Sequence, residues 1–215
     1  MRVYLCESNE DISGVRIMKK CKKYIIGLLV LFLAVTVYAV VSGNAKVQSQ
    51  EDIIILFTND VHCGIEENIG YAGLVQYKKW VEEKTPYVTL VDCGDAIQGE
   101  YIGMASNGEY IVDIMNEIGY DLAILGNHEF DYGMEQLEKL ISKANAQYLS
   151  CNITYTGKNE NALTKVKPYE IVEYGDTKIA YIGIATPETT TKATPTYFME
   201  DGEFVYDFAE VNYLG

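Results

Sequence analysis

Three short polar segments of the sequence carry the residue types that bind metal ions in proteins. They are 58–62 (TNDVH), 92–95 (DCGD) and 126–131 (GNHEFD), and each one follows an apolar run. Two carboxylates (Asp60 and Asp95), an imidazole (His62) and an amide oxygen (Asn127) would form a mixed shell of oxygen and nitrogen ligands. Such a shell suits Mn, Fe or Zn better than a purely hard ion.

Each of these residues alone has a simpler explanation. An aspartate at a strand end is usually a turn or helix cap, and a lone histidine is usually an ordinary surface or core residue. The chain contains only two histidines, however, and both follow predicted strands within three residues of an Asp or Asn. This joint placement favours a functional site.

The elements that must position these segments alternate along the chain. Continuous apolar runs predict strands buried on both faces at 53–57, 88–91, 122–125 and 179–184. Apolar residues at helical spacing predict amphipathic helices around 74–84, 111–118 and 137–144. This order predicts an α/β fold with a mostly parallel sheet and crossover helices, in which ligands gather at the carboxyl ends of the strands.

Further along the chain, two strands at 169–174 and 178–185, joined at Gly175 and Asp176, predict a β-hairpin. The segment Asn152-Ile153-Thr154 matches a glycosylation sequon, but it lies at the exit of a predicted strand (148–151), which favours burial.

The amino-terminal 45 residues are typical of an export signal or a membrane anchor. Residues 24–41 are uncharged and apolar and follow a cluster of four lysines, which is the pattern of a signal peptide. The run is also close to the shortest length that spans a bilayer, so a retained anchor stays an alternative. Residues 1–17 fit no targeting pattern and suggest an over-extended start, and 46–52 form a polar linker to a body at 53–215.

Composition and charge exclude several classes of protein. The sequence is 48% apolar and 22% charged with only four prolines, which excludes a disordered or collagenous chain. From position 46 onward there are 11 basic and 28 acidic residues, so the body is a poor candidate for binding nucleic acid. Metal ions held by acidic side chains would be the simplest way to attract an anionic substrate.

The cysteines of the body, Cys63, Cys93 and Cys151, have no CxxC spacing, which excludes a dense disulfide framework. Cys63 and Cys93 adjoin proposed ligands and could be thiolate ligands or a disulfide pair. Because neighbours on a strand point to opposite sides, small buried thiols are the favoured interpretation.

The three polar segments together resemble the first three motifs of calcineurin-like metallophosphoesterases. The extended GNHEFDYG at 126–133 resembles especially the exported 5′-nucleotidase branch, which includes 2′,3′-cyclic-nucleotide phosphodiesterases. The resemblance implies the first half of a four-layer α/β/β/α sandwich. It also implies two divalent metal ions (Mn, Zn or Fe) that activate a hydroxide for in-line attack on a nucleotide or another small phosphoester.

The same resemblance implies a role for each matching residue. Asp60 and His62 would bind the first metal, Asp95 would bridge both metals, and Asn127 would bind the second metal close to the substrate. His128 would contact the phosphate and stabilise the transition state, and Asp131 would hold the imidazole of His128 protonated and oriented.

The sequence also departs from the family pattern. The family supplies further metal-binding histidines in a Gly-His-x-His element and a carboxyl-terminal nucleotidase domain, whereas this chain has no histidine after His128. We therefore expect an amino-terminal portion of a longer enzyme, with weak binding of the second metal and little turnover alone. The alternative is a noncatalytic exported binding module with a partial metal site.

Overall fold

The computed structural model describes residues 30–33, 35–36, 38, 51–158 and 162–209. The chain divides into two units, residues 1–50 and 51–215. The described residues of the first unit are helical, and most of the predicted signal or anchor (24–41) and all of 1–17 lie outside the described residues. Among the residues that the structure describes, no helix has the length and apolar character needed to cross a membrane.

A four-stranded parallel sheet forms the centre of the second unit. Its strands are β1 (Ile54–Thr58), β2 (Val88–Asp92), β3 (Leu122–Ile124) and β4 (Gln147–Leu149), in the spatial order β1-β2-β3-β4. Thr58 pairs with Asp92, and Asp92 pairs with Ala123. The carboxyl ends of the first three strands are therefore neighbours, as the alternating sequence pattern predicts.

Helices follow each of the first three strands. These helices are α1 (Gly70–Glu82), α2 (Tyr101–Ser106), α3 (Glu109–Ile118) and α4 (Met134–Lys143). A single helical turn, α5 (Thr189–Lys192), lies later in the chain. Short 3₁₀ turns cover His128–Phe130, Ala162–Lys165 and Pro195–Phe198. The three predicted helices are confirmed as α1, α3 and α4. Gly119 ends α3 in the left-handed conformation that glycine adopts without strain.

The hydrophobic core lies on both faces of the sheet. Successive residues of β2 illustrate this: Leu90 packs into the large cluster formed with the helices, and Val91 packs into a smaller cluster with Leu122 and Leu149 on the opposite face. Because a strand projects alternate side chains to opposite faces, the continuous apolar run at 88–91 is the signature of this two-sided burial. The expectation that 53–57 is buried on both faces is wrong, because β1 lies at the sheet edge and its side chains alternate between partly buried and exposed, with Phe57 70% exposed.

The predicted hairpin is confirmed as β6 (Tyr169–Tyr174) paired with β7 (Thr177–Ile182) in antiparallel register. The expectation that 179–184 is buried on both faces is wrong, because the side chains of β7 alternate between partly buried and exposed. Tyr181 packs against the smaller core cluster, whereas Ile182 is 57% exposed. The apolar run in this segment reflects one buried face and one exposed apolar face.

Two short antiparallel pairs complete the second unit. Strand β5 (Ile153–Tyr155) pairs with β10 (Tyr206–Phe208), and β8 (Met199–Glu200) pairs with β9 (Glu203–Phe204). Asn152, the sequon residue, is buried, and its side-chain amide donates hydrogen bonds to the carbonyl oxygens of Ala185 and Ala209. The predicted burial of this asparagine is confirmed.

Candidate metal centre

The loops that leave β1 and β2 run side by side beyond the ends of the strands. The backbone amides of the first loop donate hydrogen bonds to the backbone carbonyls of the second: Asp60 to Gly94 at 3.1 Å, His62 to Asp95 at 2.9 Å and Cys63 to Ala96 at 3.0 Å. The parallel pairing of the strands therefore continues into the polar segments and sets their register.

Several residues of these loops have left-handed backbone conformations. Asp60, His62, Cys63 and Asp95 have φ angles of 52°, 47°, 61° and 58°. Such angles are uncommon for residues other than glycine, and when surrounding contacts impose them they occur mainly at functional sites.

Gly126 permits the close approach of the loops that leave β2 and β3. A Cβ atom at this position would lie 2.3 Å from Oδ1 and 2.7 Å from the backbone nitrogen of Asp95. Because no side chain fits there, only glycine lets the third polar segment lie against the second.

His62, Asp95 and His128 together form a candidate metal site at this edge of the sheet. One ligand atom from each of the three residues lies within 4.8 Å of the others. The two imidazole rings are edge to face, with centroids 4.9 Å apart, and both side chains are about one-third exposed. The three strand exits therefore bring oxygen and nitrogen donors together where solvent can reach them.

The orientation of His62 is set by a backbone carbonyl. Its Nδ1 lies 3.1 Å from the carbonyl oxygen of Gln98, so this nitrogen is the donor and Nε2 is left for a ligand. Oδ1 of Asp60 lies 3.7 Å from Nε2 of His62, on an exposed side chain. Asp60 is thus next to the cluster of three without belonging to it.

His128 is held from two sides. Its Nδ1 lies 2.6 Å from Oδ2 of Asp131, across the 3₁₀ turn that His128 begins. Its backbone amide donates a hydrogen bond of 2.8 Å to Oδ1 of Asp95. The predicted contact between His128 and Asp131 is therefore present, and it leaves Nε2 of His128 as the atom available to a metal or a phosphate.

The structure places the six predicted site residues at one edge of the sheet, in different relations to one another. His62, Asp95 and His128 form the cluster, and Asp60 and Asp131 each contact one of its histidines. Asn127 precedes the 3₁₀ turn and makes no capping hydrogen bond with its side chain. His128, expected from the sequence to contact substrate, shares the cluster with two expected metal ligands.

The polar segments also contain two buried acids, to which sequence reasoning assigned no role. Asp92 is 1% exposed and accepts hydrogen bonds from the hydroxyl of Thr58 at 3.1 Å and the amide of Gly94 at 3.2 Å. Burial raises the pKa of Asp92 from 3.8 to about 6. The only signal in the sequence was its position at the end of an apolar run, next to a glycine turn.

The second buried acid is Glu129, which is 1% exposed. Burial and the nearby charge of Asp92 raise the pKa of Glu129 above its usual value, whereas the backbone N–H groups of Asp95 and Ala96 lower it by stabilising the carboxylate. Its burial next to Phe130 depends on tertiary contacts, which no local pattern in the sequence predicts.

The three cysteines of the described body are free thiols: Cys63 is buried, Cys93 is partly buried and Cys151 is exposed. The interpretation of Cys63 as a small buried thiol agrees with its packing against α2, where a Cβ at Gly103 would meet the sulfur at 2.3 Å. Burial raises the pKa of Cys63 to about 11, which keeps the thiol protonated and a poor metal ligand.

Comparison with known proteins assigns the chain to one family. The model of the calcineurin-like phosphoesterase family matches residues 53–205. The chain therefore belongs to the calcineurin-like phosphoesterases, a family of metallophosphoesterases that use divalent metal ions.

Curated relatives and solved structures agree with this assignment. The chain is 34% identical over 188 residues to a snake venom 5′-nucleotidase of Crotalus adamanteus, covering 80% of this chain and 32% of the relative. It is 32% identical over 160 residues to the 5′-nucleotidase of Bos taurus, covering 67% of this chain and 28% of the relative. The chain thus spans about a third of the length of these relatives.

Among solved structures, the calcineurin-like phosphoesterase YfkN from Bacillus subtilis superposes with a TM-score of 0.58 at 27% identity, covering 72% of this chain and 53% of that one. The NAD nucleotidase of Haemophilus influenzae superposes with a TM-score of 0.62 at 26% identity, covering 73% and 29%. These likenesses confirm the metallophosphoesterase fold predicted from the sequence.

Proposed function

We propose that this protein is a metal-dependent hydrolase of nucleotide phosphoesters, similar in activity to a 5′-nucleotidase. The observation that carries the proposal is the cluster of His62, Asp95 and His128, with ligand atoms within 4.8 Å of one another at the strand exits. The names of the relatives, 5′-nucleotidases and nucleotide phosphoesterases, support nucleotides as the substrate class.

The donor set is compatible with divalent transition metals. Imidazole nitrogens and a carboxylate are the ligands that Mn, Fe and Zn accept together. Asp60 and His62 would hold a first ion, Asp95 would contribute to both sites, and Asn127 would serve a second. When bound, such ions supply the activation of water and the polarisation of the phosphoryl oxygens.

The side chains next to the metal donors would contact the substrate or orient the groups that do. His128 presents Nε2 toward the cluster, because Asp131 occupies Nδ1 at 2.6 Å. A protonated His128 would donate a hydrogen bond to a phosphoryl oxygen, and the carboxylate of Asp131 would stabilise that protonated form. In a chain with net charge −14, bound cations would also offset the repulsion of an anionic substrate.

A second candidate is a metal-binding module that turns over weakly or not at all. The observation that favours it is the shortage of donors for a second ion, for which the described residues offer Asp95 and Asn127 and no further histidine. Under this proposal one ion binds firmly and the second binds weakly. Little turnover by this chain alone therefore stays a prediction.

The proposal includes an exported location and three parts of the chain. Residues 1–45 would be a signal peptide or an anchor through 24–41, 46–52 a linker, and 53–215 the amino-terminal portion of a catalytic domain whose full-length form carries a further nucleotidase domain. The venom origin of one relative, as its name gives it, supports export.

One experiment separates the two candidates. The full chain would be titrated with Mn²⁺ alone by electron paramagnetic resonance and then assayed for phosphate release from AMP and from 2′,3′-cyclic AMP. Metal-dependent release by this chain, or by a longer form that carries the proposed nucleotidase domain, supports the hydrolase, and Mn²⁺ binding without release by either form supports the module. Failure to bind Mn²⁺ would contradict both candidates.

A further inference from the structure

Glu129 accepts hydrogen bonds from the backbone of two different loops. Its Oε2 accepts from the amides of Asp95 at 2.9 Å and Gly126 at 2.7 Å, and its Oε1 accepts from the amide of Ala96 at 3.0 Å. The side chain is 1% exposed, so the bonds are shielded from water. This carboxylate joins the loop that follows β2 to the loop that follows β3.

These bonds hold Asp95 in an unfavourable backbone conformation. Asp95 has a φ of 58°, in the left-handed region that residues with a Cβ rarely adopt. Its amide is bound by Glu129, and its carbonyl accepts a hydrogen bond from the amide of His62 at 2.9 Å. Both peptide groups of Asp95 are therefore fixed, and the fixed backbone directs the carboxylate to the cluster.

The same contacts place His128. The Gly126 amide that Glu129 binds lies two residues before His128, and Glu129 is its immediate neighbour in the 3₁₀ turn. The amide of His128 in turn binds the carboxylate of Asp95. One buried carboxylate thus connects the backbone on either side of two of the three residues in the cluster.

We propose that Glu129 is a positioning residue for the metal centre: by binding the amides of Asp95, Ala96 and Gly126 together, it holds the Asp95 carboxylate in the position where it would bind a metal ion, next to the His128 imidazole. The proposal rests on the proposed metal site, and it deepens that function without giving Glu129 a contact with metal or substrate. Partners that orient metal ligands typically change metal affinity by about 10- to 100-fold when they are replaced.

The test compares Glu129→Gln with wild type, using Mn²⁺ alone as the probe. Glutamine keeps the shape of the side chain, but its amide nitrogen is a hydrogen-bond donor. It must therefore face a backbone N–H group from which a carboxylate oxygen of Glu129 had accepted a hydrogen bond. We expect the affinity for Mn²⁺, followed by the loss of the free-ion resonance signal, to fall by about 10- to 100-fold.

A matched control removes a buried polar contact at the opposite end of the sheet. Thr85 is 3% exposed, donates a hydrogen bond to the carbonyl of Asp52 and accepts one from the amide of Tyr87. Thr85→Val should lower the melting temperature. It should leave unchanged the rise in melting temperature caused by a fixed concentration of Mn²⁺, because at that concentration the rise depends on the metal affinity, which Thr85 does not affect. Glu129→Gln should reduce that Mn²⁺-induced rise.

The outcomes are distinguishable. If Glu129→Gln keeps the wild-type Mn²⁺ affinity and the wild-type rise in melting temperature, Glu129 is merely structural and the positioning proposal is overturned. If wild type itself shows no Mn²⁺-induced rise, the metal site fails, and the positioning proposal fails with it. If Glu129→Gln does not fold, Glu129→Asp, one methylene shorter, takes its place and must show the same selective loss.

Discussion

Adding one methyl group at Gly126 should displace the carboxylate of Asp95 and weaken the metal centre. In the structure a Cβ at Gly126 would lie 2.3 Å from Oδ1 of Asp95. Ordinary non-bonded contacts are about 3.5 Å, so the two atoms must separate by about 1 Å. Metal–ligand distances are held within about 0.2 Å, so a shift of this size removes the Asp95 ligand from its position.

We expect Gly126→Ala to lower metal affinity by about 10- to 100-fold, which is the range seen when the groups that orient metal ligands are changed. The assay is titration of the full chain with Mn²⁺, read from the free-ion resonance signal, with melting temperatures recorded in parallel. Gly73→Ala is the control, since its Cβ would meet the side chain of Ile69, which is exposed and can move.

A result in which Gly126→Ala binds Mn²⁺ as tightly as wild type would refute this reasoning, because it would show that Asp95 is not a ligand in the conformation described. A result in which Gly73→Ala loses affinity equally would show that the loss is not specific to the site.

Four further predictions follow from the described contacts. In the full-length protein, Asp95→Ala should lower both metal content and phosphate release, whereas His128→Ala should lower release with metal retained; loss of metal in His128→Ala, measured by elemental analysis, would make His128 a ligand. The folded-state pKa of Asp92, about 6, exceeds its unfolded value of 3.8, so the folded state binds this proton more tightly. Asp92 should therefore lower the free energy of unfolding of the metal-free chain by about 3 kcal/mol as the pH rises through this interval, and in urea titrations Asp92→Asn should make the fall smaller by about that amount, leaving the part that Glu129 contributes. Leu90→Ala, at a fully buried position, should cost about 2–5 kcal/mol of stability in urea unfolding, and Phe57→Ser, at an exposed one, should change stability by less than about 0.5 kcal/mol. Among the thiols of the body, a thiol reagent should label Cys151 rapidly and Cys63 only after denaturation, as peptide mass spectrometry would show.

Local sequence patterns were sufficient for the parts of the fold that position the site. The apolar runs at 88–91 and 122–125 correspond to β2 and β3, because strands buried on both faces carry uninterrupted apolar residues. The run at 53–57 corresponds to β1, an edge strand with one exposed apolar face. The polar segments that follow them meet at one edge of the sheet, because parallel strands end on the same side. The cluster of His62, Asp95 and His128 is the direct result.

Other features depend on tertiary contacts that local patterns do not encode. The burial of Glu129 depends on amides contributed by another loop, and an acid in a polar segment reads as a surface residue until that loop is in place. The run at 179–184 looks like a doubly buried strand, but it belongs to a hairpin with one exposed face. Left-handed angles at Asp60 and His62 depend on hydrogen bonds to the neighbouring loop; Asp and His are more tolerant of such angles than most residues, but residue type alone does not identify these positions.

The spacing of the clustered residues along the chain has a consequence for how the protein acquires metal. His62 precedes Asp95 by 33 residues, and Asp95 precedes His128 by another 33. Two long crossovers must close before the three side chains meet, and such non-local closures are the slow, entropically costly events of folding. A newly made chain would therefore have to pair β1, β2 and β3 first, and ion capture would come as the last step of its maturation.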